Sequence, residues 1–255
     1  MGDHVHGDFG AGITTITLDS QHNRNALSGP LLREFVSELE GIDLEQTRVV
    51  VLRHVGPAFC SGFDLRAGDG SAMAELPSLL ESLWNLPAPV IAVIDGAVRG
   101  GGMGILATAD VVLSTPESSF GLSEVRLGVT PTTVWPLVAQ RLVSSAQYLA
   151  LTGEVFDGVR AARVGLVTET HSGVELEAEL DRYVNGILCS GPNAVAATKR
   201  LLRLHSGPIN AGDDLSTVLA PLAEASIARF QSPEAREGIA AFLEKRPPRW
   251  APQRA

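Results

Sequence analysis

The stretch that most constrains this chain is Arg99-Gly100-Gly101-Gly102-Met103-Gly104, which follows the apolar run Pro89-Val90-Ile91-Ala92-Val93-Ile94. The order predicts a buried strand, a glycine-dense turn, and a helix opening into Ile105-Leu106-Ala107. The first amides of a helix have no intrahelical partner and lie at the positive end of the helix dipole, so they attract negative charge. Glycine there allows close approach to the backbone. The charge is either a phosphate or an oxyanion that develops during reaction, and a tight turn with no chemistry is the plain alternative.

A dinucleotide fingerprint fails on spacing. G-x-G-x-x-G begun at Gly100 requires glycine at 105, where Ile105 stands, and no G-x-x-x-x-G-K-[ST] loop occurs anywhere. The net charge of −9, from 20 basic and 29 acidic residues, argues against nucleic acid as a partner. A few local cations would still hold the phosphates of a small ligand. Lys199 and Lys245 are the only lysines, so arginine supplies nearly all the positive charge. Cys60 and Cys189 are too few for a disulfide framework and are expected as buried or half-buried reduced thiols. No metal is expected: His4 and His6 are terminal, and the other histidines lack ligand spacing, with His54 and His205 read as surface or capping residues. The first residues lack the basic start and apolar core of a signal peptide, and no apolar run approaches the ~20 residues that span a bilayer. A cytoplasmic location and no membrane partner follow as expectations.

With 255 residues, 45 % of them hydrophobic, the chain has enough apolar material for a large core. Ile13–Leu18 alternates as a half-buried strand does, and Gly29–Leu39 has helical spacing. Val49–Leu52, Val90–Ile94 and Val111–Leu113 are short β-branched runs between turn residues. Ala67–Ser78 is small and polar and reads as a loop. A helix with a hydroxyl cap is expected to begin at Thr132 or Thr133. From Asn193 onward the chain reads as helical, with runs at Ala194–Leu204 and Asp214–Arg229 and a third helix opening at Ser232-Pro233-Glu234.

Two further segments join the glycine turn. One is Gly56-Pro57-Ala58-Phe59-Cys60-Ser61-Gly62-Phe63-Asp64-Leu65-Arg66, after the Val49–Leu52 strand; the other is Phe120-Gly121-Leu122-Ser123-Glu124-Val125-Arg126-Leu127-Gly128. Together the three resemble the enoyl-CoA hydratase/isomerase (crotonase) superfamily. The likeness continues through Asn25-Ala26-Leu27-Ser28, Leu151-Thr152-Gly153-Glu154, Gly165-Leu166-Val167 and Glu237–Arg246, in order over nearly the whole chain.

The resemblance implies an α/β fold: a crotonase-type spiral of strand-strand-helix units over residues 1–192, followed by a helical trimerisation region over 193–255. It implies an acyl-CoA substrate, whose coenzyme A is part of the substrate so that no separate cofactor is needed, and a homotrimer or dimer of trimers. The amides of Phe63 and Gly101 fall where the family holds a thioester oxyanion, and losing one such donor typically costs about 2.7–4 kcal/mol in the transition state. Phe63 is bulkier than expected there, and its ring should reshape the pocket floor. Ser61, Gly62, Asp64, Leu65 and Gly100 flank the two turns. Asn25, Ala26 and Leu27 fall beside the CoA adenine, mainly through backbone contacts, Arg66 near its phosphates, and Phe242 and Lys245 where a neighbouring subunit reaches the CoA. For Arg66 an exposed arginine without a ligand, and for Phe242 and Lys245 a core ring and a solvated charge, are the alternatives.

The acid/base positions depart from the hydratase pattern. The resemblance puts one glutamate at Glu124, which is present, and another at position 104, where Gly104 cannot move a proton. Each positioned acid or base is worth roughly 10²–10⁴-fold. One carboxylate suffices for a 1,3-proton shift, whereas dienoyl isomerisation would want an acid at 104 and another at Thr132. The usual Pro-Gly-x-Gly-Gly turn is replaced by Thr130-Pro131-Thr132-Thr133-Val134-Trp135, and Trp135 faces either the acyl pocket or the core; Trp84 is a second candidate lining residue. The reading that follows is an enolate-stabilising acyl-CoA enzyme with Glu124 as acid/base, favouring double-bond isomerisation. Enoyl-CoA hydration of the fatty-acid β-oxidation type, a non-catalytic acyl-CoA binder and a dinucleotide oxidoreductase are the alternatives.

Overall fold

The computed structural model describes residues 3–64, 71–143, 146–204 and 215–252, and these part into two compact units, Met1–Tyr183 and Val184–Ala255.

The first unit opens with a hairpin, β1 (Val5–Gly10) antiparallel to β2 (Ile13–Leu18), followed by α1 (Gly29–Glu40). Ser28 caps α1, its Oγ accepting from the Leu31 N–H at 3.3 Å, with Pro30 in the first turn. A pattern of two strands and a helix then repeats. β3 (Val49–His54) and β4 (Ala58–Cys60) lead to α2 (Ser71–Asn85). β5 (Val90–Ile94) and β6 (Ala97–Arg99) lead to α3 (Gly101–Thr108). β7 (Val111–Ser114) and β8 (Ser119–Gly121) lead to a 3-10 turn, Ser123–Leu127.

In each repeat the first strand joins one sheet and the second joins another. The first sheet has the order β1-β2-β3-β5-β7-β10 and the second β4-β6-β8-β9, where β9 is Phe156–Asp157 and β10 is Glu169–Thr170. From β2 onward the first sheet is parallel, and so are β4, β6 and β8 in the second. β5 is buried along its whole length, as expected for a strand covered on both faces. Leu31, Leu32, Phe35 and Leu39 of α1 and Leu76, Leu79, Leu80 and Leu83 of α2 form apolar stripes at helical spacing, and both join the main core. This is the expected mixed α/β spiral.

Two local expectations are corrected. Ala67–Ser78 is not simply a loop: α2 begins at Ser71, and its small polar start precedes the leucine stripe that anchors the helix. Residues 65–70 lie outside the described part. The helix after Glu124, α4 (Trp135–Arg141), starts at Trp135 rather than Thr132 or Thr133, and Val134 precedes it without a side-chain cap. The Trp135 N–H reaches the Pro131 carbonyl at 2.9 Å, so a turn leads into the helix, and Pro136, lacking an N–H, fits its first turn. Two short helices, α5 (Tyr148–Thr152) and α6 (Gly158–Arg163), precede α7 (Gly173–Leu188).

The second unit is helical, containing α8 (Pro192–Leu204), α9 (Leu215–Phe230) and α10 (Pro233–Leu243). Ser232 caps α10 through the Ala235 N–H at 3.1 Å, as its sequence predicts. The Glu234 carboxylate accepts the Asn193 and Ala194 amides at 3.0 and 2.8 Å, so one acid in the first turn of α10 also satisfies the first amides of α8. Cys189 is exposed, contrary to expectation, because it lies in the link between α7 and α8; its carbonyl accepts the Trp250 indole N–H at 3.1 Å. Among the described residues no helix is long and apolar enough to cross a membrane. His205 and the start of the Asp214 run lie outside the described part.

Candidate active site

The spiral brings three turns together. Cys60 of β4 is in register with Val98 of β6, Val98 with Phe120 of β8, and Arg99 with Gly121, so the carboxyl ends of three parallel strands lie side by side. The turn after β4 carries Phe63, the turn after β6 carries Gly101, and the turn after β8 carries Glu124. Ligands of parallel sheets bind outside such strand ends.

The first turn is held from behind by the Asn25–Leu27 segment. Leu27 and Phe63 form an isolated parallel bridge: the Leu27 N–H donates to the Gly62 carbonyl at 2.8 Å and the Asp64 N–H to the Leu27 carbonyl at 3.0 Å. In a parallel bridge the central residue's own N–H points away from its partner, so Phe63 directs its amide to the other side. Ser61 Oγ donates to the Asn23 carbonyl at 3.1 Å, and Asn23 Nδ2 donates to Asp64 at 3.3 Å. Asn25 is fully buried with φ 54°; its Oδ1 accepts the Ser20 N–H at 2.6 Å and its Nδ2 donates to the Val55 and Ala58 carbonyls. That side chain is committed to the fold, and Ala26 and Leu27 are buried beside it.

In the second turn Gly100 adopts φ 51°, a left-handed conformation that glycine takes at little cost, and opens α3. Its Cα faces Gly62: an added Cβ would lie 3.6 Å from the Gly62 Cα and 3.6 Å from Glu124 Oε1. The three turns therefore meet at Gly100. A Cβ on Gly101 would strike Leu27 Cδ1 and lie 3.7 Å from the Phe63 ring, which packs against the core. Among the described residues neither the Phe63 nor the Gly101 amide donates to any carbonyl or side chain. Two unclaimed N–H groups on adjoining turns are suited to an anionic oxygen.

Glu124 is half-buried, with Oε2 enclosed and meeting no partner among the described residues. Burial pushes its carboxyl above the ordinary glutamate range, opposed only by a bond to its own backbone. The neighbouring Arg99 does not relieve it; its guanidinium donates to the Val98 and Ser119 carbonyls at 2.9 and 2.6 Å and to Ser119 Oγ.

The space at position 104 is taken by neighbouring side chains. A Cβ on Gly104 would lie 2.6 Å from Val134 Cγ1 and 3.4 Å from Leu80 Cδ1, so the buried Val134 fills the space that a larger side chain would need. The sequence reading missed Val134; a single chain gives no signal that a valine before α4 meets a glycine on α3. Trp135 is half-buried and packs against the core, and Trp84 is half-buried on α2. Leu65 and Arg66 lie outside the described residues. Phe242, 81 % exposed, and Lys245, at φ 53°, belong to the second unit.

One group with metal-ligand geometry also escaped the sequence: Glu169, His171 and Glu179 bring ligand atoms within 4.8 Å of one another. Arg182 already donates to Glu169 at 2.9 Å and to Glu179 at 2.5 Å, so a guanidinium takes the place of a cation.

The enoyl-CoA hydratase/isomerase family model matches residues 8–253. A probable enoyl-CoA hydratase of Rhodobacter capsulatus is 35 % identical, the match covering 94 % of this chain and 95 % of that protein. Mouse mitochondrial methylglutaconyl-CoA hydratase is 30 % identical over 94 % of this chain and 79 % of its own length. Among solved structures, Pseudomonas aeruginosa AtuE superimposes with a TM-score of 0.88 at 32 % identity, covering 98 % of this chain and all of that one. This chain belongs to the enoyl-CoA hydratase/isomerase family.

Proposed function

We propose that the protein acts on an acyl-CoA thioester, stabilises its enolate between the Phe63 and Gly101 amides, and uses Glu124 as its single acid/base to move a carbon-carbon double bond. Glu124, as carboxylate, removes a proton from C2 of a 3-enoyl thioester. The C2–H bonding pair becomes part of a dienolate whose negative charge rests on the thioester oxygen. The two amides stabilise that charge without having to reorient. Glu124, now protonated, returns the proton to C4, and the double bond lies between C2 and C3. Atoms balance, and no cofactor beyond the substrate's own CoA is called for.

The observation that carries this reading is the Gly104–Val134 contact. A second carboxylate at 104 would need the volume that Val134 fills, and a valine neither holds water nor transfers a proton. Hydration, the activity for which several relatives are named, would then rely on Glu124 alone. The second unit is proposed as the trimerisation region, and a soluble cytoplasmic homotrimer or pair of trimers as the working form.

The deciding experiment incubates the purified protein with 3-enoyl-CoA and 2-enoyl-CoA esters of several chain lengths and follows products by mass and chromatography. Conversion of the 3-enoyl to the 2-enoyl ester at unchanged mass is expected. Addition of water to the 2-enoyl ester as the faster reaction would replace isomerase by hydratase. Tight binding with neither reaction would leave a non-catalytic binder.

A further inference from the structure

Among the described residues, Cys60 is the one buried nucleophilic group at the three turns that the proposed chemistry leaves unused. Burial pushes its thiol up to about 12, which removes it as a nucleophile at neutral pH. Its position is nevertheless specific. Sγ accepts the Gly62 N–H at 3.4 Å, and the Gly102 backbone lies against the same sulfur. The thiol hydrogen has two carbonyls in reach, Gly62 at 3.8 Å and Arg99 at 3.9 Å. Packing is as close as it can be: a Cβ on Gly102 would lie 2.6 Å from Cys60 Cβ and 2.9 Å from Sγ.

The two residues that meet the sulfur, one through its amide and one through its packed backbone, are the sequence neighbours of the two whose amides do not. Gly62 precedes Phe63, and Gly102 follows Gly101. Gly100 opens α3 without a side chain, so α3 has no cap of its own, and its second residue packs directly on a sulfur supplied by β4. We infer that Cys60 is a positioning residue, a thiol tie between the turns after β4 and β6 that engages the Gly62 amide and the Gly102 backbone and so fixes the direction of the Phe63 and Gly101 amides. The inference rests on the proposed enolate chemistry, because only then does that direction govern rate.

The test uses the full chain and a non-reacting saturated acyl-CoA carrying a ¹³C thioester carbonyl. Infrared difference spectroscopy reads how strongly the bound carbonyl is polarised, and exchange of its α-protons in D₂O reads enolate formation. In the unaltered protein the carbonyl band should move to lower frequency and α-exchange should occur; if neither happens, the enolate reading itself falls. Given both, Cys60→Ala should lose about ten- to a hundredfold in exchange rate, the scale of a small misplacement of catalytic groups. The ester should bind with unchanged affinity but with a smaller band shift. Cys60→Ser, whose hydroxyl accepts from the same amide, should recover most of the shift. An alanine variant with a full shift and an unchanged rate would overturn the tie. Hydrogen exchange by NMR on the unaltered chain provides a check independent of any variant. The Gly62 amide should be protected without ligand, and the Phe63 and Gly101 amides only once the ester binds. Equal exchange of all three in the free protein would equally overturn it.

Discussion

Glu124 is a carboxylate whose burial costs stability and serves reactivity. Its folded pKa is raised, so its favourable contribution to stability is complete below the unfolded pKa and is lost as pH rises through the folded value. Near neutral pH the buried charge is a net cost. Glu124→Gln should therefore melt at a higher temperature than the unaltered protein at pH 7, while losing roughly 10²–10⁴-fold in turnover and keeping its affinity for acyl-CoA. Calorimetry beside a rate assay checks both halves, and a variant with full turnover would remove Glu124 from the mechanism. As the base it must be ionised, so kcat/KM should fall on the acid side at a pH above the ~4.3 of an ordinary glutamate. Asn25 shows the opposite economy, a polar side chain with every group satisfied. Asn25→Ala strands the buried Ser20 amide and the buried Ala58 carbonyl, and each buried group left unpaired costs about 1–3 kcal/mol. Denaturant unfolding should show a loss of at least about 2 kcal/mol. Glu124 was legible in the sequence because its segment is distinctive. That the Asn25 side chain turns all its hydrogen bonds inward is not legible from residue identity, and it leaves only the backbone of this stretch to meet a ligand.

At the scale of elements, the glycine turn specifies α3 and the approach of α4 specifies what α3 must leave out. Gly104 faces Val134, the residue that precedes α4. Gly104→Ala forces a methyl to within 2.6 Å of Val134 Cγ1, and such overpacking typically costs about 1–3 kcal/mol. Val134→Ala alone should also destabilise, by opening a cavity. The pair should be less destabilised than the sum of the two, a coupling that a double-mutant cycle in urea measures directly; strict additivity would show that the contact is not shared. Strands and helices with a clear period, such as β2, β5, α1 and α10, were legible because their burial repeats at 2 or 3.6 residues. The starts of α2 and α4 were not. At α2 small polar residues precede the leucine stripe, and at α4 threonines suited to capping lie in a turn that ends before the helix.

For the whole molecule, the spiral of the first unit follows from three repeats that each send one strand to each sheet, which is why motifs far apart in sequence share one face. The second unit poses a different question, because its own core leaves much apolar surface uncovered. Leu202, Ile227, Phe230, Phe242 and Leu243 are all exposed, Phe230 at 69 %. A cavity of about 580 Å³ lies within this unit, lined by Ala197, Leu201, Ala225, Arg229, Phe230 and Ala235 among others. Exposed apolar surface of this extent marks association, and a charge of −9 supplies no attraction between copies. Sedimentation velocity should therefore find associated chains at micromolar concentration, and the trimerisation proposed above specifies trimers or multiples of trimers. Phe230→Glu, a charge placed on that surface, should shift the distribution toward monomer while leaving the first unit folded by near-ultraviolet circular dichroism. Activity of the dissociated variant then separates two roles for the second unit. Retained turnover with weakened acyl-CoA binding would place Phe242 and Lys245 on a neighbour's ligand. Unchanged binding would confine the second unit to assembly, and a monomeric unaltered chain would refute assembly itself.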